Sequence, residues 1–427
     1  MTETTPPAFA PAAEKDSAAA ARRGSARGSY RAGFWLVAAA FTALMAFGTA
    51  PTPLWPLYQV RDGFGATTVT VAFAVMVIGA AASLFAFGHL SDRVGRRPVV
   101  AFGLATAVAS AVVFAVSPSL PSLIAGRVLT GIAIGLMAPT ATAYLTDLYR
   151  QAHPERPGAA VPALVGAGAN LGGLALGPLA AGALAQWASA PLTTVYVVFA
   201  AVLAVLLVVV LRCPETVDRS TAGHQRSVRF ALRPGGRTSF GSAAAVGFFS
   251  FAVMGLFSSL GAIIVRGQLG ITSTFVVGLA PFTAFAASAV AQLALAQVSH
   301  PRLLVSGTVL FPVGLALTAL TLYHPALWLA LVAAGLSGGG AGLLFKASVV
   351  QSVTSAEPAS RAGVLAAFFV VAYLGMGLPS VAFSVVIQHA ALRPSMIGFA
   401  AAISLGAGAA AAVGVRTHHH QSTLRPR

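Results

Sequence analysis

Twelve apolar runs, each about as long as the ~20 residues a helix needs to cross a hydrocarbon core, follow one another along this 427-residue chain. They begin near Phe34, Val69, Pro98, Pro121, Val161, Leu192, Gly241, Thr274, Leu303, Ala326, Ala362 and Ser395. Lipid offers no hydrogen-bond partners, so only helices or closed barrels can cross it, and runs without polar alternation exclude a barrel. The composition agrees: 57% of residues are hydrophobic and 8% are charged, a balance that soluble domains do not reach. The fold class expected is therefore all-α, a polytopic membrane protein with twelve transmembrane helices.

A net charge of +16 raises the question of nucleic acid. A nucleic-acid surface would cluster on a soluble domain, and the sequence offers none, so no nucleic-acid partner is expected. The basic residues collect instead in alternate connections. With the N-terminus inside, the inner segments hold nearly all of them, Lys346 included, while the outer loops keep Arg61, Arg266 and Arg393. That bias places both termini in the cytoplasm and agrees with an even number of spans. Arg127 alone falls inside a span. One cysteine, Cys213, leaves no internal disulfide and no cysteine-based metal cluster.

The polar stretch from Cys213 to Phe240 leaves six spans on each side. The organisation expected is a disordered cytoplasmic tail (1–33), a six-helix bundle (34–212), a cytoplasmic linker (213–240), a second bundle (241–415) and a cytoplasmic C-terminal tail (416–427). The halves carry traces of duplication. "LTGIAIGLM" at Leu129–Met137 has a counterpart in "LSGGGAGLL" at Leu336–Leu344, offset by 207 residues (336 − 129), and "ERPG" from Glu155 is echoed by "EPASRAG" from Glu357. Two pseudo-symmetric six-helix bundles around a central site would follow.

Between the second and third runs, "GHLSDRVGRRPVVAFG" concentrates charge in a chain that otherwise avoids it. Gly88, Leu90, Asp92, Arg93, Gly95, Arg96 and Arg97 fill a pattern that resembles the signature loop of the major facilitator superfamily. Physically, Gly88 would let a helix approach closely, Gly95 would permit a left-handed turn, and Asp92 suits a helix N-terminus. The resemblance implies a conformational latch. Asp92 would meet the N-terminus of span 11 when the inner side is closed, and Arg96 would pair with Asp147 at the end of span 4. Arg93 and Arg97 would face lipid phosphates or help to set topology. The equivalent stretch of the second half, Ala296 to Gly307, has lost the Asp and both glycines, so the latch is expected on one half alone.

Two further stretches carry the resemblance. In span 4, Leu123, Arg127, Gly131 and Gly135 match the superfamily's second motif, and a guanidinium inside a membrane helix normally faces a partner or a cavity. Snorkelling outward and bracing a neighbour's carbonyls are the structural alternatives. In span 5, running on from Asn170, Gly173, Gly177, Pro178 and Gly182 resemble the motif of the superfamily's drug/proton antiporter exporters, with Ala181 departing from it. Small residues at this spacing let helices touch and Pro178 bends the helix, so these four residues are the expected hinge.

None of the ten acidic residues lies in the middle of a run. Proton coupling would have to use a rim carboxylate, a histidine such as His89, His300, His324 or His389, or direct competition with substrate; a facilitator without ion coupling stays open. A strongly cationic cargo is disfavoured. The transport path expected comprises Arg127, Asn170, Thr49, Thr52, Trp55, Tyr58, Phe248, Phe251 and Tyr373, whose aromatic groups suit amphiphilic compounds. The expectation is thus a secondary transporter in the bacterial plasma membrane, a monomer in the lipid bilayer, with a small-molecule substrate, protons as the coupling ion to weigh, and no cofactor. Export is favoured by the span 5 motif, and an uptake carrier or uniporter is the alternative. A membrane-embedded enzyme would need clustered His, Asp or Glu at one depth, and a non-transporting receptor would need no latch.

Overall fold

The computed structural model describes residues 10–88, 90–117, 119–156, 158–217, 230–295 and 297–423, with side-chain environments from 27 to 416. Twelve helices are long and apolar enough to cross a membrane: α1 (Arg27–Asp62), α2 (Ala66–Phe87), α3 (Arg96–Val116), α4 (Leu120–Ala152), α5 (Val161–Trp187), α6 (Pro191–Leu211), α7 (Gly236–Leu269), α8 (Thr274–Ala294), α9 (His300–Leu320), α10 (Leu327–Ser355), α11 (Pro358–His389) and α12 (Leu392–Arg416). Odd-numbered helices run from the face that carries the Gly88–Arg97 loop, here the loop face, to the far face.

Three boundaries differ from those expected. The first helix already begins at Ala10 and continues into α1, although a disordered tail was expected to residue 33. The alanines after Ser17 are strong helix formers, and a helix nucleated by α1 extends into them at little entropic cost. At the other end the last helix runs on to Thr423, through most of the expected tail, and α7 starts at Gly236, inside the expected linker. Linker residues 218–229 and His89 lie outside the described residues.

The expected duplication has a physical basis in how the helices touch. Gly131 and Gly135 of α4 lie directly on the backbone of α2, against Met76 and Ala80. Their counterparts 207 residues on, Gly338 and Gly342 of α10, lie directly on α8, against Ala284 and Ser288. A side chain at any of the four would run into backbone. Without a hydrophobic drive between helices in lipid, such contact is what holds them together. The halves meet where α2 packs on α11, Gly377 against Ala74, and where α5 packs on α8, Gly278 against Pro178. α6 and α12 lie outermost, with 28% of their apolar stretch buried against 72% in α7.

The first helix of each half is interrupted near the far face. In α1 the prolines Pro51, Pro53 and Pro56 break the helix after Thr49 into a 3₁₀ turn, Thr52–Leu54, before it resumes at Trp55. In α7 the break is a π turn, Phe257–Gly261. Replacing Gly131 by Ala should lower Tm in detergent by the equivalent of about 1–3 kcal/mol of overpacking. Gly241→Ala, at a glycine with nothing within 4 Å, should not lower it.

Candidate functional site

A cavity of about 60 Å³ lies where the halves meet, lined by residues from α1, α2, α4, α5, α7, α8, α10 and α11. Four of the chain's seven methionines line it, Met45, Met76, Met254 and Met376, with Phe251, Phe285 and Phe345. Its polar groups are all uncharged: Thr49, Asn170, Ser250, Ser288, Gln292 and Tyr373. Flexible thioethers and aromatic faces adapt to apolar bodies of varied shape, and the amides and hydroxyls orient polar ends.

The structure brings Thr49, Asn170, Phe251 and Tyr373 of the expected path to this cavity. Phe248 instead packs edge-on against Phe249, off the cavity. Thr52, Trp55 and Tyr58 lie buried nearer the far face, where Tyr58 meets Tyr196 at 3.2 Å between hydroxyls. The individual methionines, Gln292 and Phe345 were not singled out, because nothing in the sequence sets residues of separate helices at one depth. Lys346 was misplaced. It sits within α10, not in a connection, and its ammonium donates to the carbonyl of Gln292 at 2.6 Å and of Leu295 at 3.3 Å, at the C-terminal end of α8, where a cation is favoured.

The α5 glycines are contact points. Gly173 and Gly177 lie against the α1 backbone at Thr42 and Ala46, and Gly182 lies against Thr274 of the other half. α5 runs through Pro178 without interruption. Proline there cannot donate to the carbonyl of Leu174, and the Thr49 hydroxyl donates to it instead at 2.9 Å. One residue thereby lines the cavity and completes the α5 backbone.

Arg127 is 0% exposed, which excludes snorkelling. Its Nη1 donates to the Gly48 carbonyl at 3.1 Å and lies 3.2 Å from the Met76 sulfur, both residues of the cavity wall. The guanidinium lies 4.8 Å from the Trp55 ring centre. Nε and Nη2 find no acceptor among the described residues. No described carboxylate pairs with this cation.

Trp55 also closes the far face. Its indole N–H donates at 3.2 Å to the carbonyl of Ser258, in the π turn of α7, where the i→i+4 ladder is disturbed. Around it, Thr70 meets Ser384 at 2.7 Å, Thr67 donates to the Ser384 carbonyl, Gln388 donates to Thr67, and Thr274 and Ser273 donate to Gln186 at 3.3 and 2.9 Å. Each of these bonds joins one half to the other on the far side of the cavity.

On the loop face lie the charged residues expected to form a latch. Arg96 bonds Asp92 at 2.6 Å and Asp147 at 3.3 Å, joining three of the expected residues. Gly95 has φ +114° and ψ 154°, extended backbone in the positive-φ region open to glycine, where a tight left-handed turn was expected. Asp92 is 63% exposed and bonds within its own loop, its docking on α11 having been expected only with the inner side closed. Two other placements differ from those expected. The atoms nearest the open side of Gly88 belong to Leu84, because Gly88 merely ends α2 in ordinary right-handed backbone. Arg97 turns inward to donate to the Cys213 carbonyl at 3.2 Å, while Arg93 is exposed.

Sequence reasoning also missed Glu215. Its carboxylate accepts from the backbone N–H of Arg96 and Arg97 at 3.0 and 3.1 Å, capping α3, and from Thr216 and Val217 at 2.8 and 3.1 Å. The "CPET" stretch after α6 thus clamps the loop. Next to it, burial pushes the Cys213 thiol up, against an opposing pull from Arg97, so the only cysteine stays protonated.

Comparison with known proteins gives a consistent picture. The Major Facilitator Superfamily profile matches residues 34–380. The multidrug transporter MdfA of Yersinia pestis is 30% identical over 313 residues, 69% of this chain and 73% of MdfA. The inner membrane transport protein YajR of Escherichia coli is 38% identical over 89 residues, and that match spans 20% of this chain and only 19% of YajR. Among solved structures, the POT family transporter PepTSo superposes with a TM-score of 0.72 at 11% identity, covering 91% of this chain and 98% of that one. The nucleoside transporter NupG gives 0.66 at 16% identity, covering 89% and 98%.

Arg127→Met should leave Tm unchanged or raise it by a few degrees, because it removes a buried charge that no described carboxylate neutralises. Glu215→Ala should lower Tm by the equivalent of about 1–2 kcal/mol through the lost cap, with Glu215→Gln falling between.

Proposed function

The chain belongs to the major facilitator superfamily and is a multi-pass membrane transporter, not an enzyme, and from that premise we propose that it exports a small amphiphilic organic compound by alternating access. The observation that carries the reading is the uncharged, methionine- and aromatic-lined cavity between the halves, sealed on the far face by hydrogen bonds from each half to the other. With both termini in the cytoplasm of a bacterium, the loop face is the inner one. The exposed Asp92 and the sealed far gate then describe the stage at which cargo enters from the cytoplasm. The path is enclosed within one chain, so a monomer suffices.

The α5 motif and the MdfA relationship support export of varied compounds over uptake of one. Amphiphilic cargo without strong positive charge is favoured, since the walls offer no carboxylate and Arg127 lies behind Gly48 and Met76. The two halves would rock about the cavity, opening the Trp55–Ser258 and Thr70–Ser384 contacts while Asp92 docks on α11 and the Arg96 network tightens. The glycines of α5, which touch both α1 and α8, would carry that motion between the halves.

Cells expressing the chain should accumulate less of several amphiphilic dyes than control cells. In a Cys213→Ala background, oxidising the Thr70→Cys/Ser384→Cys pair should lock the far gate and abolish that difference, and a reductant should restore it. Greater accumulation in expressing cells would establish uptake instead.

A further inference from the structure

We propose that Arg127 is an anion site, covered by Trp55 while the far gate is closed and uncovered when it opens, and that it takes a single monovalent anion: a halide or the carboxylate of an organic anion. The inference goes beyond export, since it needs neither a direction nor a cargo.

Arg127 has five N–H donors and uses few of them. Nη1 meets the Gly48 carbonyl and the Met76 sulfur, the ring of Trp55 covers one face, and Nε and Nη2 are buried without an acceptor among the described residues. A buried cation is costly unless paired, and Trp55 offsets only part of that cost. Trp55 is also a gate residue, bonded across the halves to Ser258. Opening the gate must move the indole, and the unused donors then face the new opening. The rest of the path suits an anion. No acidic side chain lines the cavity, and the other intramembrane cation, Lys346, stands at the opposite end beside Gln292, a lining residue.

An anion that binds only the far-open state shifts the population toward that state by its differential affinity. From the far side it would draw the empty carrier outward and leave when Trp55 closes back over Arg127. A chain with no carboxylate in the middle of a span would in this way have an ion to respond to other than a proton.

The test uses purified full-length protein in detergent, with sodium chloride and sodium benzoate as probes, titrated identically in wild type and Arg127→Met so that ionic-strength effects cancel. Chloride or benzoate should raise Tm of the wild type, and Trp55→Ala should show the same shift at roughly tenfold lower concentration, because the competent state is no longer rare. The effect should vanish in Arg127→Met. In the Cys213→Ala background it should vanish in the oxidised Thr70→Cys/Ser384→Cys pair and return on reduction, which separates gate closure from misfolding. A response to chloride assigns an inorganic ion, and a response to benzoate alone assigns an organic carboxylate. An equal response in Arg127→Met, or none in either wild type or Trp55→Ala, overturns the proposal. No cargo enters this measurement, so a failed dye experiment would leave it standing, and its own failure would leave export untouched.

Discussion

Lipid supplies no hydrogen bonds, and most of this structure follows from that. Every backbone polar group within the bilayer must find a partner in the protein, which fixes helices, and the helices can then attract one another only through close contact. Glycine provides the contact at α2/α4 and α8/α10, where backbone rests on backbone. Wherever the ladder is broken, another part of the chain completes it. Thr49 answers for Pro178 by donating to Leu174, and Trp55 donates to Ser258 in the π turn of α7. Both repairs involve α1, so the helix most interrupted by proline is also the one that ties the cavity to the gate.

The far gate is made of neutral groups. Hydroxyls, amides and an indole cross between the halves, and each such bond contributes only about 0.5–1.5 kcal/mol net. A handful of these can hold a conformation and still release it, whereas buried ion pairs at the same places would make opening leave charges unpaired. Charge is kept for the loop face, where water is near. There Arg96 holds Asp92 and Asp147 and Glu215 caps α3, so the loop is rigid even while Asp92 is undocked.

The fold was legible because its signals are local or periodic: twelve apolar runs, one polar interruption, and a duplicated glycine pattern whose 207-residue offset reappears as matched helix contacts. The Arg96–Asp147 pair and the need for glycine at Gly95 were legible through the loop motif. The cavity was legible in part. Thr49, Asn170, Phe251 and Tyr373 reach it, but Phe248, on the same helix as Phe251, turns away, since three residues along a helix amount to about 300° and a small rotation decides which ring faces inward. Lys346 was misread for a related reason. Counting charges by connection assumes that a cation ends a span, and here the C-terminal carbonyls of α8 provide the partner that lets it sit inside one. Glu215 escaped because its role is to satisfy backbone N–H groups 118 and 119 residues away, and sequence does not show which helix end lacks a cap.

Arg127 is where stability and function pull apart. A methionine there would remove a buried charge that no described carboxylate pairs with, and the chain keeps a guanidinium instead. Among the described residues its relief is one carbonyl, one sulfur and the face of Trp55, and the last of these also bonds across the halves to Ser258. Opening the gate therefore changes the environment of a charge, not merely the shape of a passage. That links the electrostatics of the bundle to its conformation through a single aromatic ring, and under the anion proposal an external ion would do in the far-open state what no described side chain does.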